Sequence, residues 1–250
     1  MLSKALRRLE RTDPTEALSW SLANSQKVET ICRPLDPDLW GETEEWFTGF
    51  QPEANRRLAE IGVGLGGGGN SRLLYFLTRS MQPEHVVETG VAAGWSSAAI
   101  LTAIDRNGHG TLHSSDFPYF RLANPEQYIG VLVPEDLQRH WRLHLQGDRK
   151  NLPRILEEAG RIGLFHYDSD KSEAGRRFAM DLVMPRLDHN GVVVMDDIHN
   201  NLYFRDLCLN CTGCLVAEGH IGILGLSSTL PTDLEVPPGH GATGLTHPSE

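Results

Sequence analysis

Between residues 85 and 226, short apolar runs of strand length alternate with longer segments whose apolar positions recur every three or four residues. That rhythm predicts strands over 85–90, 111–116, 142–147, 162–168 and 191–197, helices over 95–106, 149–159 and 172–186, and a short helix from Asn201. Strands alternating with helices make a mostly parallel sheet with helices on both faces. The last two runs, 214–218 and 221–226, are joined only by Gly219-His220, too little chain for a parallel crossover, so they are expected to form an antiparallel hairpin.

The flanking chain differs. Residues 1–65 predict a helical extension: Leu2, Leu6 and Leu9 stand at helical spacing, Asp13-Pro-Thr-Glu resembles a helix start, and Trp40, Trp46, Phe47 and Phe50 form an aromatic group. The preferred reading of those rings is packing against the main domain, ahead of a substrate lid or a dimer surface. Gly64-Leu-Gly-Gly-Gly-Gly-Asn70 interrupts regular structure because its glycines lose too much backbone entropy in a helix or strand, and a helix over 71–80 follows. Residues 227–250, rich in Pro, Gly, Thr and His, read as a tail, leaving 66–226 as the main domain.

Composition narrows the functional classes. A net charge of −10 argues against non-specific binding to nucleic acid. No run approaches the ~18 apolar residues needed to span a bilayer. The basic N-terminal segment has no apolar signal core, so a cytoplasmic location without membrane partners is expected. Four cysteines do not suggest a disulfide framework. Cys208, Cys211 and Cys214 have metal-site spacing but need a fourth ligand, Cys32 or His220; small, mostly buried residues are the simpler reading.

The chemistry concentrates where strands end. Ligands of open α/β sheets bind outside the carboxyl ends of the strands. Those ends carry Glu88 with Gly90, Asp116, Gly147 with Asp148, Asp168 with Asp170 and Lys171, and Asp196 with Asp197. The turn through Gly90 and Gly94 opens into a helix N-terminus, where backbone comes close to a ligand and unpaired amides favour an anionic group. A dinucleotide and S-adenosylmethionine both suit such a turn, but this turn lacks the G-x-G-x-x-G of the former. Thr89-Gly-Val-Ala-Ala-Gly-Trp-Ser96 and Tyr167-to-Lys171 imitate the turn and Y-x-x-x-K of short-chain reductases, yet Tyr167 closes a strand-like run where those enzymes use a helix.

Val86-Val-Glu-Thr-Gly-Val-Ala-Ala-Gly-Trp-Ser-Ser97, Tyr167-Asp-Ser-Asp-Lys-Ser172 and Gly191-Val-Val-Val-Met-Asp-Asp-Ile198 resemble class I S-adenosylmethionine-dependent methyltransferases of the small-molecule O-methyltransferase type. The resemblance implies a Rossmann-like, seven-stranded, mostly parallel sheet with an antiparallel final hairpin. It implies S-adenosyl-L-methionine as cofactor, with Gly90 and Gly94 at its methionyl part, Glu88 near the amino group, Ser96 and Ser97 near the carboxylate, Asp116 at the ribose and Asp148 near the adenine. Simple helix capping is the competing role of the two serines. It further implies Asp168, Asp196 and Asp197 as ligands of an optional Mg²⁺, Lys171 as base, and Asp168 as a catalytic partner that also adjoins the cofactor; His166 and His199 flank the cluster, where a structural role is the simpler reading against proton transfer or ligation. The implied reaction moves a methyl group to a hydroxyl oxygen of a small molecule of natural-product or sugar type, in a monomer or a homo-oligomer. The alternatives are an NAD(P)-dependent short-chain-type reductase and a catalytically silent binding protein on the same fold. Phe117, Tyr119, Phe120 and Tyr128, in the long segment after Asp116, are candidates to line the acceptor pocket.

Overall fold

The structure, a computed structural model, describes residues 14–118, 122–209, 211 and 213–226. Its sheet has eight strands: β1 (Ser25–Gln26), β2 (His85–Thr89), β3 (Thr111–Ser115), β4 (Trp141–His144), β5 (Ile162–Tyr167), β6 (Leu187–Met195), β7 (Leu215–Ala217) and β8 (Ile221–Leu224). Their spatial order is β1-β7-β8-β6-β5-β2-β3-β4, and every pairing is parallel except those of β8 with β6 and β7. The final hairpin is therefore antiparallel, as its two-residue connection requires. The strand beyond the seven expected is β1, which adds Ser25 opposite Val216 at the outer edge. Two polar residues carry no apolar alternation, so only tertiary pairing defines it.

Eight described α-helices surround the sheet: α1 (Pro14–Ala23), α2 (Val28–Cys32), α3 (Pro37–Ile61), α4 (Ser71–Met81), α5 (Trp95–Asn107), α6 (Asp148–Ala159), α7 (Glu173–Val183) and α8 (Tyr203–Cys208). Three boundaries moved for local reasons. β4 stops at His144, whose carbonyl accepts from Asp116 N–H and Asn151 Nδ2, while Asn151 Oδ1 takes the Gln146 N–H at 3.3 Å. α7 gives way at Met184–Arg186 to a tighter turn at Pro185, which has no N–H to continue the helix. β6 reaches back to Leu187 through an irregularity in its pairing with β5, where Leu187 lies against Gly191.

Each central strand divides its side chains between two cores. Val86, Leu164, Val192 and Val194 pack with α4 and α5 on one face, and Val87, Phe165, Val193 and Met195 pack with α6 and α7 on the other. Burial on both faces explains why these strands are continuous apolar runs. Trp40 of α3 is 2% exposed and meets Phe76, Trp46 stacks on Tyr75 with centroids 4.5 Å apart, and Phe50 meets Trp95 edge-on at 5.5 Å. The aromatic group therefore fastens α3 to α4 and to the first residue of α5. The leucines at 2, 6 and 9 and the 227–250 tail lie outside the described residues. No described helix is long and apolar enough to cross a membrane.

The chain returns to opposite sides of β2, to β3 on one and β5 on the other, and at the carboxyl ends beside such a switch point open α/β sheets place their ligand crevice. The antiparallel end is held by close packing: Gly222 of β8 lies so near the Phe204 ring of α8 that an added Cβ would approach it to 2.3 Å. Gly222→Ala is expected to lower the free energy of unfolding by about 1–3 kcal/mol in urea titrations, with Phe204→Leu in the same chain recovering part of the loss. Unchanged stability would show that α8 does not press on β8 as described.

Candidate active site

Parallel register sets His166 of β5 directly beside Glu88 of β2, and Asp196 follows the last residue of β6. Glu88 and His166 are fully buried, and Asp196 is 5% exposed. Glu88 Oε2 accepts from Ser97 Oγ at 2.6 Å and Ser114 Oγ at 2.9 Å, and its Oε1 lies 3.4 Å from His166 Nδ1. The other imidazole nitrogen, Nε2, stands 3.8 Å from Asp196 Oδ2, an ion-pair distance. Burial by itself would lower the His166 pKa; the Asp196 and Glu88 carboxylates outweigh it and push it up to about 10. Burial likewise opposes ionisation of Glu88 and Asp196, and His166 is the principal group holding both carboxyls below their usual range. One imidazolium thus sits between two carboxylates beneath the site.

Glu88, expected at the donor's amino group, is thereby enclosed, with its oxygens committed to protein partners. It supports the turn from below. Ser97 gives its hydroxyl to Glu88 and does not cap α5, whose N-terminus begins at Gly94 without a side-chain cap. Gly90 and Gly94 both have positive φ, at 82° and 95°. Each also permits a backbone contact: an added Cβ at Gly90 would lie 2.5 Å from the Asp168 carbonyl oxygen, and one at Gly94 would lie 2.8 Å from Gly130 Cα. The turn is thus locked to the loops after β5 and β3.

Asp116 Oδ2 accepts from the amides of Val91 and Ala92, both at 2.9 Å, and Oδ1 accepts from the Phe117 amide at 2.6 Å. A carboxylate offers about four lone-pair positions, so roughly one is left for a ligand hydroxyl. Burial raises the Asp116 pKa against the opposing pull of these amides. Asp148, the first residue of α6, accepts from the hydroxyls of Ser115 and Ser169 and so ties the ends of β3 and β5 together.

Of the three expected metal ligands, the structure brings the carboxylates of Asp168 and Asp196 together, whereas that of Asp197 is joined to them only through Lys171. The ligand atoms of His166, Asp168 and Asp196 lie within 4.8 Å of one another. The Lys171 ammonium hydrogen-bonds Asp168 Oδ1 and lies 3.2 Å from Asp197 Oδ2. Burial, and then the neighbouring Asp196 charge, raise the Asp168 pKa. Hard carboxylate oxygens on two adjacent strands, already sharing one cationic group, are the donor set a Mg²⁺ ion requires.

Sequence reasoning missed three organisers of this cluster. Arg176 is fully buried on α7 and donates to the carbonyls of Asp196 and Asp197, at 3.2 and 2.7 Å, and to Asn201 Oδ1. Asn201 in turn donates to the Lys171 carbonyl, at 2.8 Å. A signal existed for Arg176: it occupies the stripe of α7 that also carries Ala179, Met180 and Val183, where a charge must find buried partners. Asn70 closes the glycine run by donating to Asp196 Oδ1 at 2.9 Å, while Gly68 lies against the Trp95 ring. The run therefore crosses the carboxyl edge. Above it Ala54, Leu65, Ala93, Trp95 and Leu132 form an apolar roof to which Tyr128 adds its ring. Phe117 is 63% exposed, and Tyr119 and Phe120 lie outside the described residues.

Two alternative chemistries lose their geometry. Tyr167 ends β5, fully buried, and its hydroxyl donates to the Asp170 carbonyl at 2.6 Å, while Lys171 lies in the loop before α7. A reductase pair on one helix is therefore not formed. Cys208, Cys211 and Cys214 pack against the core on the α6–α7 face, whereas Cys32 is buried in the opposite core and cannot join them. His220 Nδ1 stands 2.8 Å from the Glu218 carbonyl. Among the described residues no cysteine joins a group of converging metal-ligating atoms.

Residues 87–198 match the family model described as a methyltransferase domain. No curated protein matches the chain. Among solved structures, the O-methyltransferase TomG from Streptomyces achromogenes, involved in tomaymycin synthesis and in complex with SAM, is 16% identical with a TM-score of 0.52, over 69% of this chain and 86% of that one. A methyltransferase from Geobacter sulfurreducens is 16% identical with a TM-score of 0.50, over 70% and 87%. The O-methyltransferase from Bacillus cereus in complex with SAH is 13% identical with a TM-score of 0.50, over 72% and 97%. At these identities the likeness establishes the fold, and the matched segment spans the strand ends from Glu88 to Asp197.

The buried imidazolium has a measurable pH signature. With a folded pKa of about 10 against an ordinary ~6.5, its contribution to stability is complete below about pH 6.5 and is lost as pH rises through 10. His166→Gln is expected to be less stable at pH 6 by about 3–5 kcal/mol, having left two buried carboxylates uncompensated. Its unfolding free energy should also fall less steeply than that of the wild type between pH 7 and 10. Parallel slopes in urea titrations across that range would refute the charged state of His166.

Proposed function

We propose, on the premise that residues 87–198 are a methyltransferase domain, that the chain moves the methyl group of S-adenosyl-L-methionine to a hydroxyl oxygen of a small molecule. The observation that carries this reading is the convergence of the glycine turn, Asp116 and the Asp168–Lys171–Asp197 group on one crevice at the β2/β5 switch point. In this reading the methionyl part of the donor lies over Gly90 and Gly94 beside the uncapped start of α5, with Ser96 at its carboxylate. Asp116 takes a ribose hydroxyl on its remaining lone pair, and Asp148 stands on the adenine side, where the loops after β4 and β5 meet. Glu88 acts at one remove, by fixing Ser97 and Ser114 beneath the turn.

The sulfonium is already activated, so the protein's main task is to align oxygen, methyl carbon and sulfur and to exclude water. The roof over Trp95 and Ala93 serves that exclusion. The Lys171 amine takes the acceptor's hydroxyl proton at Nζ, becoming the ammonium that Asp168 and Asp197 hold, while the oxygen attacks the methyl carbon and the carbon–sulfur bond breaks, leaving S-adenosylhomocysteine. Asp168 and Asp197 position Lys171, and Arg176 fixes the chain that carries Asp197. A Mg²⁺ ion held by Asp168, Asp196 and Asp197 would lower the pKa of the acceptor hydroxyl.

Calorimetry with S-adenosylhomocysteine tests the donor half. The wild type should bind it and not NADPH, and Asp116→Ala should weaken binding by about 1.5–3 kcal/mol; unchanged affinity would remove the ribose assignment. For the chemical half, Lys171→Met is expected to lower kcat on a hydroxylated acceptor about 10²–10⁴-fold with donor affinity preserved, and full turnover in that variant would dismiss Lys171 as the base.

A further inference from the structure

A second cluster of ligating groups lies on the face of the sheet covered by α6, away from the crevice. His113 in the middle of β3 and His144 at the end of β4 project to this face, and Glu158, the penultimate residue of α6, reaches it from above. One nitrogen of each imidazole and a Glu158 carboxylate oxygen all lie within 4.8 Å of one another. His113 is 2% exposed, and its Nδ1 is buried without a hydrogen-bond partner; His144 Nε2 is in the same condition. Two buried imidazole nitrogens without partners, in rings that meet at a carboxylate, are costly unless something joins them.

The surrounding atoms favour ligation. His113 Nε2 stands 3.3 Å from His85 Nδ1, which accommodates the His113 proton on Nε2 and leaves the partnerless Nδ1 as the nitrogen with a free lone pair. A histidine that ligates a metal through one nitrogen characteristically engages an outer partner through the other. Burial pushes the His113 imidazole down to about 4 and lowers that of His144 as well, so both rings are neutral donors at physiological pH. Glu158 is exposed on the last turn of α6, and its side chain can close the remaining distance toward the ~3.4 Å that tetrahedral ligands on one ion require.

We propose that His113, His144 and Glu158 form a binding site for a borderline divalent cation of the Zn²⁺ class, with a water at the fourth position and His85 orienting His113. Two imidazoles and one carboxylate suit Zn²⁺ better than Mg²⁺, which prefers oxygen alone. The ion would cross-link α6 to β3 and to the edge strand β4. No residue of the methyl-transfer crevice takes part, so this site stands independently of the proposed reaction.

Equilibrium dialysis of the chelator-stripped full chain against micromolar Zn²⁺ tests the assignment, with Glu158→Gln and His144→Ala as paired variants and circular dichroism confirming that each is folded. Glu158→Gln alters an exposed side chain and keeps the test informative if His144→Ala does not fold. The wild type should bind one equivalent that Glu158→Gln binds about tenfold more weakly or worse, and Zn²⁺ should raise the melting temperature of the wild type more than that of the variant. Asp196→Asn should retain that equivalent. No Zn²⁺ uptake by the wild type, equal uptake by wild type and Glu158→Gln, or loss of the equivalent in Asp196→Asn would overturn the site.

Discussion

A single imidazolium between two carboxylates, at the ends of three adjacent strands, is the interaction on which the rest of the crevice depends. Placing Glu88 and Asp196 in the interior would be prohibitive if either stood alone, and His166 answers both because strand register puts it beside one and near the other. The arrangement fixes β2, β5 and β6 relative to one another at their carboxyl ends. It also sets the charge on which the upper layer is built: Asp168, Asp197 and Lys171 lie immediately above, and Arg176 holds the intervening backbone from the far side.

From that base the crevice is assembled by backbone contacts that only glycine allows. Gly90 touches the Asp168 carbonyl and Gly94 touches Gly130, so the turn that opens α5 is held by the loops that also carry the acids. Asp116 gathers the turn's amides and shapes it before any ligand arrives. The extension supplies what the sheet lacks, an apolar cover: Phe50 on Trp95, the glycine run from Gly66 to Asn70 across the edge, and Leu65 with Leu132 above Ala93. A charged floor and a dry roof are the conditions under which alignment of three reacting atoms accelerates methyl transfer.

Much of this was legible from local pattern. Each acid of the edge closes an apolar run, so Asp116, Asp168, Asp196 and Asp197 could be assigned to strand ends without knowing strand order, and the two-residue link at Gly219-His220 dictated the hairpin. What was not legible depends on pairing across distant segments. β1 exists only through Val216 and Ala217; the commitment of Glu88 to Ser97, Ser114 and His166 follows from register; and the three lone-pair positions of Asp116 filled by Val91, Ala92 and Phe117 follow from how the turn folds back. The same holds for His113 and His144, unremarkable alone and brought together by neighbouring strands.

Whether the strand ends at β2 and β5 receive a sulfonium nucleoside is decided by a crystal structure of the chain grown with S-adenosylhomocysteine. The ribose should lie within hydrogen-bond reach of Asp116 Oδ1, with the sulfur on the Lys171 side and the methionyl carboxylate at the start of α5. A nucleoside seated elsewhere, or none at these strand ends at saturating ligand, would rule the reading out.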